Sequence, residues 1–125
     1  MTQQEKQLLL KDLCARLPYG VEIRITSDEC DDGFRAGEFD NILRYHHLEA
    51  FVCDRIEVRP YLRPMSSMTE EEKAELLNLR KEMNMHQHLW FDRVLDFYLS
   101  HHLDWRGLIL LGLALEAPDN MYKIE

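Results

Sequence analysis

The spacing of apolar residues changes sharply at Pro18-Tyr19-Gly20, and that switch constrains the fold more than any other feature of the chain. Before it, Leu9, Leu10, Leu13, Cys14 and Leu17 recur at helical spacing. After it, Val21, Ile23 and Ile25 alternate with Glu22, Arg24 and Thr26, the pattern of a half-buried strand. Thr2 followed by Glu5 supplies the helix start, a capping box in which hydroxyl and carboxylate satisfy each other's backbone amides. Pro18 supplies the stop, because a proline forces the preceding residue out of the α region, so Leu17 is predicted as about the last helical residue.

Beyond Thr26 the acidic stretch 28–33 reads as a solvated loop ending in an Asp-Gly turn. Short strands are predicted near 34–39, 42–45 and 50–52, with their register open. The stretch 55–63 is clearer: Ile56, Val58 and Leu62 alternate with Arg55, Glu57, Arg59, Tyr61 and Arg63. Pro60 sends that strand to an edge or ends it early. Thr69 with Glu72 forms a second capping box, and Leu76, Leu79, Met83, Trp90, Val94, Phe97 and Tyr98 carry a helical stripe as far as residue 102. That segment is roughly twice an ordinary helix length, so it is either one long helix or bends near 84–87. Asp104 is placed as the N-cap of a short helix over 105–111, with Gly112 as its left-handed stop and 113–115 as a last extended piece. The apolar Tyr61, Leu62, Trp105, Leu108 and Ile109 exceed what a short helix can bury alone, so the strand exit at 61–64 is predicted to pack against that C-terminal element. The reading is one α+β domain over 1–125: an N-terminal helix, a small antiparallel sheet or partly closed barrel of three to five short strands, a long helix and a short C-terminal helix.

With 46% apolar and 30% charged residues, a chain of 125 residues can build a core without disulfides or a structural metal. Its net charge is −8, and both halves share the deficit: 9 basic against 12 acidic side chains over 1–64, and 6 against 11 over 65–125. Affinity for nucleic acid rests largely on Lys and Arg neutralising phosphates, so such a chain is a poor generic DNA or RNA binder, and anionic membranes repel it. Cys14, Cys30 and Cys53 are odd in number and widely spaced, which favours a reducing compartment. The N-terminus shows no secretory signal pattern and no apolar run approaches the ~18 residues of a membrane span, so the expected location is the cytoplasm.

Candidate chemistry is sparse. His88, Asp92 and Asp96 fall at i, i+4 and i+8 of the long helix, a stripe with metal-ligand residue types, but it lies opposite Trp90, Val94 and Phe97, as a solvated face would. His101-His102 close the helix, where a cationic histidine suits the dipole. Asp28, Cys30, Asp32 and Gly33 sit at the first, third, fifth and sixth positions of a calcium loop, but the third is a thiol, Phe39 stands where the bidentate glutamate belongs, and the flanks read as strands. Cys14 is assigned to the apolar helix face, and neither Cys30 nor Cys53 has a base motif beside it; no phosphate-cradling glycine motif or nucleophile elbow occurs. Nothing demands an enzyme or a cofactor. Arg55, Arg59 and Arg63 share one face of the extended 55–63 stretch with Tyr61. They suit a phosphate or carboxylates, with the chain's own acidic helix as the favoured counter-charge.

Three blocks carry a resemblance: LLLKDLCARLPYGV at 8–21, RPYLRPMSSMTEEE at 59–72, and HHLDWRGLI with GLALEAP at 101–109 and 112–118. The chain resembles a family of short uncharacterised proteins of gut bacteria, often encoded in prophage-like or mobile regions, and departs from that pattern around 83–88. The resemblance implies no catalytic residue and no cofactor. Its blocks coincide with caps, stops and junctions, which implies that they specify the scaffold. The function expected is a non-enzymatic accessory or adaptor protein of a bacterial mobile element, acting on a protein partner through Asp31, Asp32, Tyr45, His46 and His47 in the weakly patterned 28–53 region, with the oligomeric state open. The alternatives are a metal-dependent hydrolase using His88, Asp92 and Asp96, and a nucleic-acid module using Arg55, Arg59 and Arg63.

Overall fold

The structure, a computed structural model, describes residues 1–27, 37–81 and 87–122. Helix α1 runs Gln3–Arg16, and its capping box is complete, with Glu5 N–H donating to Thr2 Oγ1 at 3.0 Å and Thr2 N–H to Glu5 Oε1 at 2.8 Å. Pro18 sits at the start of a single 3₁₀ turn, Leu17–Tyr19, and Gly20 at φ +71° turns the chain into the sheet, a conformation that favours glycine. Strand β1, Glu22–Ser27, buries Ile23 and Ile25, as the alternation predicts.

Strand β2, Gly37–Ile42, pairs antiparallel with β1, Ile25 opposite Phe39. The expected strand near 42–45 does not form, since Ile42 closes β2 and Tyr45 opens a helix, and the one near 50–52 is replaced by that eight-residue helix, α2, Tyr45–Val52. Strand β3, Glu57–Leu62, pairs antiparallel with β1 on its other side, Ile25 opposite Val58. The two-residue β4, Leu115–Glu116, joins β3 in parallel. The order is β2-β1-β3-β4, an open, mixed sheet, and no barrel closes. Pro60 is paired with Ile23, and the pairing of β3 with β4 begins only at Tyr61, so the proline occupies a stretch of β3 whose outer side has no neighbour among the described strands.

Helices α3, Glu70–Lys81, and α4, Gln87–Ser100, correspond to the predicted long helix. In one straight helix Leu76 and Phe97 would lie about 30 Å apart, yet they share a buried cluster with Val94 and Leu103, and His101 Nδ1 lies 2.9 Å from Glu72 Oε2. The two helices therefore fold back as a hairpin.

The main core lies between one face of the sheet and the α1–α2 pair, with Leu9, Leu13, Ile23, Ile25, Phe51, Val58 and Leu62 inside it. Leu108 joins that core beside Leu62, and the strand exit is pinned to the C-terminal segment as predicted: Arg63 N–H donates to His102 O at 2.8 Å and Asp104 N–H to Arg63 O at 2.8 Å. Trp105 itself is half-buried and stacks on Tyr98, ring centroids 6.3 Å apart, instead of meeting Tyr61. The predicted helix over 105–111 is a set of turns. Asp104 caps, but it receives Leu108 N–H at 2.7 Å and Ile109 N–H at 2.9 Å, because Gly107 at φ +76° breaks the helical path between them. Gly112 is the left-handed stop, at φ +78°, with Leu113 N–H returning to Leu108 O at 3.0 Å.

Candidate functional site

Helix α2 has two apolar faces. His47, Leu48, Ala50 and Phe51 are buried, Leu48 at the boundary where it also lines the outer groove, while Tyr45 and Val52, at i and i+7, stand exposed on the other side. Helix α1 divides in the same way. Leu9 and Leu13 face inward, joined there by Asp12 and Arg16, whereas Leu10 and Cys14 face α2. Cys14 is exposed, a correction to its assignment to the packed face: the helical stripe is wider than the core it meets, so Leu10 is only partly buried against that core and Cys14 is left outside it.

At the far end of the pair Lys6 Nζ donates to Val52 O at 3.3 Å and to the Asp54 carboxylate, and lies 5.5 Å from the centroid of the Phe51 ring. These contacts put the start of α1 beside the end of α2. Between them lies a groove of about 490 Å³ lined by Leu10, Cys14, Tyr45, Leu48, Val52 and Cys53, with Glu49 and Arg55 as its charged members. Tyr45 is 67% and Val52 51% exposed, both high for large apolar side chains.

The near end is held by a histidine. Arg44 N–H donates to His47 Nδ1 at 2.9 Å, so the ring accepts through Nδ1 and is neutral, its proton on Nε2. Burial, helped by His46 and Arg44, lowers the pKa of His47 to about 4. His47 is 1% exposed, which corrects its placement on a partner surface: its ring is used inside, to cap α2. Tyr45 and His46 are exposed as expected, and Asp31 and Asp32 lie outside the described residues, as do Cys30 and the rest of the acidic loop.

The charged residues with the most specific geometry are committed to the scaffold. Arg63 is buried and bidentate on Glu72, Nη1 to Oε2 at 2.8 Å and Nη2 to Oε1 at 2.7 Å, and also donates to Ser67 O at 3.1 Å and His101 O at 3.2 Å. Glu72 still closes its own capping box, receiving Thr69 N–H at 2.9 Å. The Arg63 guanidinium lowers the pKa of Glu72 to about 2 against the opposing effect of burial. Similarly, Asp12 holds Arg16 Nε at 2.7 Å and Arg106 Nε at 3.1 Å, while Arg16 Nη2 reaches Leu103 O at 2.8 Å, tying α1 to the C-terminal turns. The arginine stripe is thus divided: Arg55 lies at the groove, Arg59 is exposed on the sheet opposite Arg24, and Arg63 is inside.

Asp92 and Asp96 are exposed on α4, and Asp96 accepts the Tyr19 hydroxyl at 2.7 Å; the side chain of His88 lies outside the described part. Among the described residues no three His, Cys, Asp or Glu side chains converge as a metal site would require. His102, at φ +58°, stacks on Tyr122 with centroids 3.9 Å apart, and burial lowers its pKa to about 4. A polar depression of about 330 Å³ near it is lined by Arg63, Ser67, Glu116, Asn120 and Tyr122, but its guanidinium is already taken by Glu72.

The sequence reading missed the groove because it treated 50–52 as a strand. The signal was present in the i, i+3, i+7 spacing of Tyr45, Leu48 and Val52, facing Leu10 and Cys14. No helix among the described residues is long and apolar enough to cross a membrane. Compared with protein-family models, curated proteins and solved structures, the chain matches none.

Proposed function

We propose that this chain acts through protein contacts, as an accessory or adaptor protein, and that its working surface is the α1–α2 groove. The family resemblance would place that role in a bacterial mobile element. One observation carries the reading: Tyr45 and Val52 stand exposed on a second apolar face of α2 while the core beneath the same helix is already filled by Phe51 and Ala50. A side chain that folding leaves in water, aligned with others in a concave strip, is the usual signature of a contact surface. The surface expected at 28–53 is thereby narrowed to the α2 portion and extended to Leu10 and Cys14 of α1.

The test compares immobilised wild-type chain with Tyr45→Glu and Val52→Lys variants, matched for folding by circular dichroism, for retention of protein partners, further copies of the chain included. Loss of binding in both variants is expected. Unchanged binding in folded variants overturns the reading.

A further inference from the structure

Among the described residues, the hydrogen bonds that tie the C-terminal segment 115–122 to the rest of the molecule fall at its two ends. At its start β4 pairs with β3 at Tyr61 and Leu62, and Ala117 N–H donates to Leu62 O at 2.8 Å. Its middle bonds to itself, Met121 N–H to Pro118 O at 3.1 Å, and residues 118–120 are exposed. The depression of about 330 Å³ has Glu116 and Asn120 in its lining together with Pro64 and Ser67, so space rather than packing lies between that middle and the 63–67 turn.

The far end is Tyr122. Antiparallel pairing of β1 with β3 stops at Ile23 opposite Pro60, and one further rung would set Glu22 opposite Tyr61. The Tyr122 hydroxyl occupies that rung, accepting Glu22 N–H at 2.8 Å and donating to Tyr61 O at 2.7 Å. A side chain of the tail thereby continues a backbone ladder. Its ring packs against the main core and stacks on His102, centroids 3.9 Å and planes 17° apart. His102 is held at φ +58°, a left-handed conformation that persists only while the contacts around it do.

That stack depends on charge. Arg16 of α1, Arg63 at the exit of β3 and the adjoining His101 all oppose a proton on the buried His102 ring. The carboxylates around them are taken: Asp12 by Arg16 and Arg106, Glu72 by Arg63 and His101, and Asp104 by the amides of Leu108 and Ile109. Glu22 of β1 acts on the Tyr122 hydroxyl. Nδ1 of His102 is buried with no hydrogen-bond partner among the described residues, so a proton there gains no acceptor. We infer that residues 115–122 form a releasable strap, latched by Tyr122, which lets go as a unit while the antiparallel strands β1, β2 and β3 persist, and that protonation of His102 is its trigger. With the strap closed, His102 has its pKa lowered from 6.5 to about 4; with the strap released, the ring regains water and its pKa rises toward 6.5, so acid favours the open form. Opening frees Tyr61 O, Leu62 O and the Glu22 amide, and removes one wall of the depression. The strap is separate from the α1–α2 groove and does not rest on the reading of it.

Native-state hydrogen exchange of the full chain, followed by NMR and corrected for the intrinsic pH dependence of exchange, tests this directly. The amides of Glu22 and Ala117 are expected to share one protection factor, at least tenfold below those of Ile25 and Val58 in the middle of the sheet, and to lose on the order of tenfold between pH 7.5 and 5.0. Tyr122→Phe keeps the ring and removes the hydroxyl, and should lower the protection of both amides at pH 7.5. His102→Asn tolerates the left-handed backbone and does not titrate, so it should remove the pH dependence of those two amides. Protection of Glu22 and Ala117 equal to that of Ile25 and Val58 overturns the strap, because the segment then opens only with the whole fold. Unrelated protection at Glu22 and Ala117 overturns its release as a unit, and full protection of Glu22 in Tyr122→Phe overturns the latch. A pH dependence that survives in His102→Asn overturns the trigger.

Discussion

The Arg63–Glu72 junction and the α1–α2 groove reverse the ordinary placement of side chains. At the junction a guanidinium and a carboxylate are buried, 7% and 3% exposed, while in the groove Tyr45 and Val52 stand in solvent. The difference separates what the charges do from what the surface does. Arg63 and Glu72 hold β3, the α3 cap and the end of α4 together through one set of hydrogen bonds that engages both Nη1 and Nη2 of the guanidinium. In the groove the exposed Tyr45 and Val52 contribute little to the core, in contrast to Leu48 beside them, and their apolar area is in solvent.

The largest effect expected from this comparison comes from breaking the junction. Arg63→Ala leaves Glu72 buried without its main partner and should destabilise by about 3–5 kcal/mol in denaturant melts, whereas an apolar double replacement, Arg63→Met with Glu72→Leu, should recover much of the loss. Equal instability of single and double variants would show that the pair's other hydrogen bonds, and not the uncompensated charge, dominate.

A smaller effect is expected from acid. His47 and His102 have folded-state pKa values lowered from 6.5 to about 4, so the unfolded chain binds protons first. Their contribution is complete above pH 6.5 and is lost as pH falls toward 4, on the order of 3 kcal/mol for the fully buried His47 once that window is crossed. Glu72 acts lower, losing its contribution between pH 4.5 and about 2. Stability measured at pH 7.5, 5.5 and 4.5 should fall steadily, and His47→Gln, whose side-chain oxygen accepts the Arg44 amide without titrating, should flatten part of the slope. A profile level from 7.5 to 4.5 would remove the histidines from the account.

The smallest effect belongs to the groove. Tyr45→Ser or Val52→Ser should change monomer stability by no more than about 0.5 kcal/mol, while Leu13→Ala, on the inward face of α1, should cost about 2–5 kcal/mol. If thermal melts show the groove substitutions to be as damaging as Leu13→Ala, the two faces are not distinct and the groove is part of the core.

Local signals were legible wherever one residue's chemistry dictates the backbone. Thr2 with Glu5, Pro18 with Gly20, Thr69 with Glu72, Asp104 and Gly112 all cap, stop or turn the chain as their side chains require. The alternations of β1 and β3 were equally plain, because a sheet with one packed face imposes period two. Helix α2 was not legible: eight residues with two aromatics and a valine carry β-propensity, and the cap comes from His47 in place of a Ser, Thr, Asp or Asn.

The sequence by itself determined the class, the caps and the strands β1 and β3, since those depend on groups a few residues apart. Tertiary structure alone decided the fold-back of α4 onto α3, the burial of Arg63 and His47, and the exposure of Cys14, Tyr45 and Val52. Each of these depends on a partner distant in sequence, Glu72 for Arg63 and α2 for α1. Helical spacing predicts that a residue lies on an apolar face, but only packing settles whether the core has room for that face.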